Sequence, residues 1–108
     1  MVRSMTGYAQ HKEHPVQIHL AADLVISQNG NGTVYVSRPN MHGRIATYAI
    51  HSPYDAFDIA RWMWNRRTSN KTTLVQVAFP NMSAEDREFL MTGITPTEWT
   101  HMFREGAE

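Results

Sequence analysis

The sequence predicts a single α+β domain of order βββαβαα: a mostly antiparallel four-stranded sheet, one long helix packed on it, and a C-terminal helical pair. Three observations lead there. Apolar residues alternate with a period of two through much of the first fifty residues, the period changes to three and four after Ser52, and two capped helical segments lie back to back near the end. A chain of 108 residues has room for one core, and no repeat, low-complexity stretch or linker divides 1–108 into parts.

Residues 1–14 read as a flexible arm. Val16, Ile18 and Leu20 then alternate with Gln17 and His19, the pattern of a half-buried strand, and apolar positions continue to Ile26 with a bulge expected near Ala21–Ala22. Asn29-Gly30-Asn31-Gly32 supplies residues that tolerate the positive φ of a hairpin turn. A second strand, Thr33 to Ser37, places Val34 and Val36 on one face. Pro39-Asn40-Met41-His42-Gly43 is a second turn and Arg44 to Ile50 a third strand.

At Ser52-Pro53-Tyr54-Asp55 a helix is expected to start, with Ser52 as N-cap, Pro53 at the first helical position and Asp55 completing a capping pattern. Ala56, Phe57, Ala60, Met63 and Trp64 share its apolar face, Trp62 lies toward the opposite side, and the helix runs to about Arg67. Thr72 to Phe79 reads as a fourth strand with Val75, Val77 and Phe79 inward, ended by Pro80. The helical pair occupies 83–104. Ser83 caps the first helix and Gly93 stands at its left-handed end, with Ile94 following. Thr95-Pro96-Thr97-Glu98 starts the second, whose stripe is Trp99, Met102 and Phe103.

Composition narrows the function classes. Eleven aromatic residues and a hydrophobic fraction of 42% argue for a folded core. Ten basic and ten acidic residues cancel, which argues against a strongly basic, non-specific nucleic-acid binder. The absence of cysteine excludes disulfides, thiolate nucleophiles and cysteine-based metal sites. The first ten residues lack an apolar segment and no apolar run exceeds three residues, so neither a secretory signal nor a membrane span is expected. These features point to a cytoplasmic protein.

The candidates for chemistry have simpler explanations. Six histidines are scattered over the arm, a strand, a turn, a strand end and the last helix, so no metal set is assigned. Ser52 with Asp55, and Glu85, Asp86 and Glu88, occupy helix starts, where capping and the helix dipole favour them. Asn29-Gly30-Asn31-Gly32 lacks the lysine and helix of a phosphate loop. No catalytic residue and no cofactor are assigned. The segment Arg61-Trp62-Met63-Trp64-Asn65-Arg66-Arg67, with Lys71 beyond it, holds four positive charges and no acid. A tryptophan among arginines suits a protein-interface hot spot, or stacking on nucleobases with arginines on phosphates. The partner-binding residues expected are therefore Arg61, Trp62, Arg66, Arg67 and Lys71. Residues 83–108 carry six acids and two arginines, so the chain is dipolar.

Two segments resemble known families. Met1 to Ala9, MVRSMTGYA, is similar to the N-terminus of YicC-type endoribonucleases, but nothing after Ala9 continues that pattern and no activity is carried over. Ser83 to Trp99, SAEDREFLMTGITPTEW, resembles the C-terminal segment of small accessory proteins encoded by bacteriophages and mobile elements. That resemblance implies a phage-encoded protein acting in the host cytoplasm by docking on a host complex, as anti-CRISPR and other anti-defence inhibitors do. The leading expectation is thus a non-enzymatic binding protein whose partner is a host protein or nucleoprotein complex. The alternatives are a nucleic-acid-binding module and a small-ligand binder or enzyme. A homodimer paired through an edge strand is also compatible with an open sheet.

Overall fold

Four strands rather than three precede the first long helix. The computed structural model describes residues 15–69 and 72–107, with the backbone alone from 102 onward. Strands β1 (Val16–Ala21), β2 (Leu24–Gln28), β3 (Val34–Pro39) and β4 (Ile45–Ile50) form one antiparallel sheet in the order β1-β2-β3-β4. Helices α1 (Ala56–Thr68), α2 (Val75–Ala78), α3 (Ala84–Thr92) and α4 (Pro96–Ala107) follow. The α+β class and the four-stranded antiparallel sheet are as the sequence predicts, but the order is ββββαααα.

Two corrections account for the change. The segment expected as one bulged strand from Val16 to Ile26 folds back at Ala22–Asp23, so its apolar residues lie on two adjacent strands. The register does shift there, between His19 and Ala21, but the chain reverses instead of continuing. The second correction concerns Thr72 to Phe79, expected as a strand and found as the single-turn helix α2. Its turn closes with the Ala78 amide donating to the Leu74 carbonyl at 2.9 Å and the Phe79 amide to Val75 at 2.9 Å. Val75 and Phe79 are buried, one helical turn apart, whereas Val77 is 63% exposed.

The β2–β3 and β3–β4 hairpins close on the same chemistry. Asn29 Oδ1 accepts from the Thr33 amide at 3.0 Å, and Asn40 Oδ1 accepts from the Arg44 amide at 3.1 Å. Gly32 and Gly43, three residues after each asparagine, take φ of 91° and 78°, which a side chain would oppose.

Pairing aligns the inward rows Val16, Gln28, Val34, Ile50 and Ile18, Ile26, Val36, Tyr48 across the sheet. Helix α1 covers β1 and β2. Helix α3 reaches the other half, where the Phe89 ring lies 5.0 Å from that of Tyr48. Two polar anchors fix these helices. Gln28, buried on β2, accepts from the Ala56 amide at 3.1 Å and so satisfies an orphan donor at the start of α1. Asp86, 3% exposed on α3, accepts from the His51 amide at 3.0 Å just past β4. Tyr48 has its phenol pushed up to about 12 by burial and by the neighbouring Asp86 carboxylate.

The N-cap of α1 also differs from expectation. Asp55, not Ser52, occupies it. Asp55 Oδ1 accepts from the Asp58 amide at 2.9 Å and Asp58 reciprocates at 3.4 Å, while Ser52 accepts from the Tyr54 amide in the preceding turn. Further along, Ser83 and Thr95 cap α3 and α4 as expected, each accepting from the amide three residues on. Gly93 ends α3 with φ 80°, and a Cβ there would stand 2.7 Å from the Pro39 carbonyl oxygen, so the α3–α4 turn seats directly on the β3–β4 hairpin. The expected arm at 1–14, with His11 and His14, lies outside the described residues, as do the side chains of Met102 and Phe103.

Candidate functional site

Helix α1 determines which of the expected site residues reach solvent, and it is turned differently from the sequence expectation. Its buried side chains are Ala56, Ile59, Ala60, Trp62 and Met63. Trp62, expected to be outward, is 6% exposed; Trp64 and Phe57, expected to be inward, are 41% and 42% exposed. The physical reason is a partner for the indole. Trp62 Nε1 donates to the Thr73 carbonyl at 2.7 Å, and its ring packs edge-on to Phe79 at 5.9 Å, with Tyr54 on that same ring at 4.8 Å. A buried tryptophan needs such an acceptor, and the segment leading into α2 supplies it.

The outer side of α1 consequently carries Phe57, Arg61 and Trp64, spaced four and three residues apart on one face. Arg61 is exposed and borders a shallow concavity of about 340 Å³ with Asp58, Asn65 and Thr73. Asp58 is held above the usual aspartate value by burial and by Asp55, with Arg61 acting in the opposite sense.

The last turn of α1 holds a second arrangement. Arg66 sits over the Trp62 ring, 5.5 Å from its centroid. Arg67 Nη1 lies 2.7 Å from Asp23 Oδ1 in the β1–β2 turn, an exposed pair. Hydrogen bonding to Arg67 lowers the Asp23 carboxyl, and that bond raises the Arg67 guanidinium. Both arginines border a cleft of about 210 Å³ that also receives Arg38 from β3, with Leu24, Pro39, Met63 and Met91 as its apolar walls. Arg38 Nη1 donates to the Leu90 carbonyl at 2.7 Å and its Nε to the Pro39 carbonyl at 2.8 Å. Burial, and then Arg66 and Arg67, lower its pKa, while Asp23 opposes them.

Of the expected residues, the structure thus brings together Arg66 and Arg67, leaves Arg61 on the outer face and withdraws Trp62 into the core. Lys71 lies outside the described residues. Arg38 was missed, although it continues the inward row of Val34 and Val36, where a charge is anomalous. The apolar face expected from the sequence, with Trp64 and Phe57 inward, omits Ile59, which is fully buried.

Elsewhere, the β3–β4 turn and α4 border a concavity of about 500 Å³ lined by Asn40, Met41, His42, Ile94, Thr97, Glu98 and His101. No group of three His, Asp or Glu side chains placed to hold a metal occurs among the described residues. The sheet face away from the helices is mixed: Val25, Ser27, Tyr35, Ser37, Thr47 and Ala49 lie on it, Tyr35 is exposed, and Ser37 and Thr47 share a hydrogen bond of 2.8 Å. Among the described residues, no helix is long and apolar enough to cross a membrane. Compared with protein-family models, with curated proteins and with solved structures, the chain matches none.

Proposed function

We propose that this chain is a non-enzymatic binding protein that docks on a partner protein through the outer face of α1. The observation that carries the reading is the exposure of Phe57 and Trp64 on either side of Arg61, while the same helix buries five other residues in the core. Large aromatics and arginine dominate the energetics of protein interfaces. A complementary partner surface has an apolar cup for Trp64 and acidic groups for Arg61. The phage-like segment Ser83 to Trp99 supports a host protein or nucleoprotein complex as partner, and inhibition of that complex as the outcome.

The test is affinity capture from nuclease-treated bacterial host lysate on the immobilised full chain. The wild type is expected to retain a discrete protein, and the Phe57→Ala, Trp64→Ala double variant to retain at least about tenfold less of it, the factor expected for losing 1.4 kcal/mol of binding. Equal retention of the same proteins by both would sink the reading.

A nucleic-acid-binding function is the second reading, favoured by Arg61, Arg66 and Arg67, all exposed on the helix that exposes Trp64. Stacking on Trp64 with phosphates on the arginines gives binding that weakens with salt, with a log–log slope of about −0.7 per phosphate for single strands. An oligonucleotide that does not bind at low salt removes this alternative.

A further inference from the structure

At the C-terminal end of α1, Arg66 and Arg67 meet Arg38 of β3, which no local sequence pattern links to them, and each guanidinium is already held. Arg38 is fixed by two carbonyls, Arg66 by the Trp62 ring and Arg67 by Asp23. Holding these groups before a ligand arrives removes much of the side-chain entropy cost of binding. The cleft between them carries three positive charges, and one carboxylate, Asp23, is paired with them. Among the described residues, neither Arg38 nor Arg66 has a carboxylate within ion-pair distance. Burial is the first cause of the depressed Arg38 pKa, and repulsion from Arg66 and Arg67 adds to it against the opposing Asp23.

We propose that the Arg38–Arg66–Arg67 cleft is a binding site for a phosphomonoester group. The charge count favours this ligand class over a carboxylate. Two guanidiniums remain unmatched once Asp23 has taken Arg67, and a phosphomonoester at neutral pH carries about −1.5 to −2 charges. Its three terminal oxygens suit the planar donor forks of arginine. The apolar walls of Leu24, Met63, Met91 and Pro39 keep the local dielectric below that of water and strengthen the contact. This site is separate from the outer face of α1 and does not depend on the docking function proposed for that face.

The experiment is an NMR titration of the arginine Nε–Hε signals of the full chain at constant ionic strength, with inorganic phosphate and with phenyl phosphate as probes. Both probes are expected to shift the Arg38 and Arg66 signals saturably. Arg66→Ala is expected to weaken both about tenfold or more, while Arg44→Ala, exposed in the β3–β4 turn and not lining the cleft, leaves them within about twofold. Arg66 is exposed, so its replacement preserves the fold; Arg38→Lys, which keeps a charge but loses the fork, is expected to weaken binding as well. Saturable binding of phenyl phosphate at least as tight as that of inorganic phosphate supports the proposal; saturation by inorganic phosphate alone, with none by phenyl phosphate, identifies a free-phosphate site and overturns it. Shifts that do not saturate, or equal affinity in Arg66→Ala and wild type, overturn it. So does an oligonucleotide of internal phosphodiesters that moves these signals when neither monoester probe does.

Discussion

The two sides of α1 have the same kinds of residue and opposite fates. On the inner side, Trp62 is enclosed by Phe79 and Thr73, with Gln28 and the Asp55 cap fixing the start of the helix. On the outer side, Trp64 and Phe57 lie about two-fifths exposed beside Arg61. Two tryptophans separated by one residue therefore do different work: one joins the helix to the chain that follows it, and the other is presented to solvent. What separates them is the carbonyl of Thr73, available to the Trp62 indole.

The largest test of that contrast is Trp62→Ala. It removes an indole from the core and strands the Thr73 carbonyl, so a loss of about 3–5 kcal/mol is expected in denaturant unfolding. A loss below about 1 kcal/mol means that α1 is rotated from the arrangement described. Next comes Gln28→Leu, which leaves the Ala56 amide without its buried acceptor and is expected to cost about 1–3 kcal/mol. An unchanged denaturation midpoint contradicts the anchoring role. Trp64→Ala is expected to stay within about 0.5 kcal/mol of wild type while reducing partner capture. If it unfolds the protein as Trp62→Ala does, the outer face is part of the core.

The smallest effect is on titration. Asp58 is expected to titrate above 3.8 and Asp23 below it in a carboxyl-resolved NMR titration. The signs of the two are opposite. Asp58, raised in the folded state, contributes stability at low pH that is lost as pH rises through its folded value. Asp23, lowered by Arg67, contributes stability above its unfolded value that is lost as pH falls. Coincident titration of the two removes the electrostatic difference between the helix start and its last turn.

Much of the fold was legible because local chemistry decided it. Asparagine and glycine at 29–32 and 40–43 marked the β2–β3 and β3–β4 hairpins, while nothing comparable marked the β1–β2 reversal at Ala22–Asp23; Ser83 and Gly93 marked the bounds of α3 and Thr95 the start of α4. The errors fell where two periods fit the same residues. Val75 and Phe79 lie inward in a strand and also in a helix; only the outward Val77 distinguishes the two. On α1, a face through Phe57 and Trp64 and a face through Ile59 and Trp62 both satisfy helical spacing, and the choice rests on Thr73 and Phe79, eleven and seventeen residues beyond Trp62. The arginine cleft was half visible. Arg66 and Arg67 stood out as local charge, but Arg38 joins them only through sheet register and the last turn of α3.

The proposed docking face is tested most directly by photocrosslinking in host lysate. One protein carries a benzophenone amino acid in place of Trp64, on the outer face of α1, and another carries it in place of Thr47, on the sheet face away from the helices. The account predicts a discrete partner adduct from position 64 and none from position 47. An adduct from position 47 with none from position 64 contradicts it, and places the working surface on the sheet.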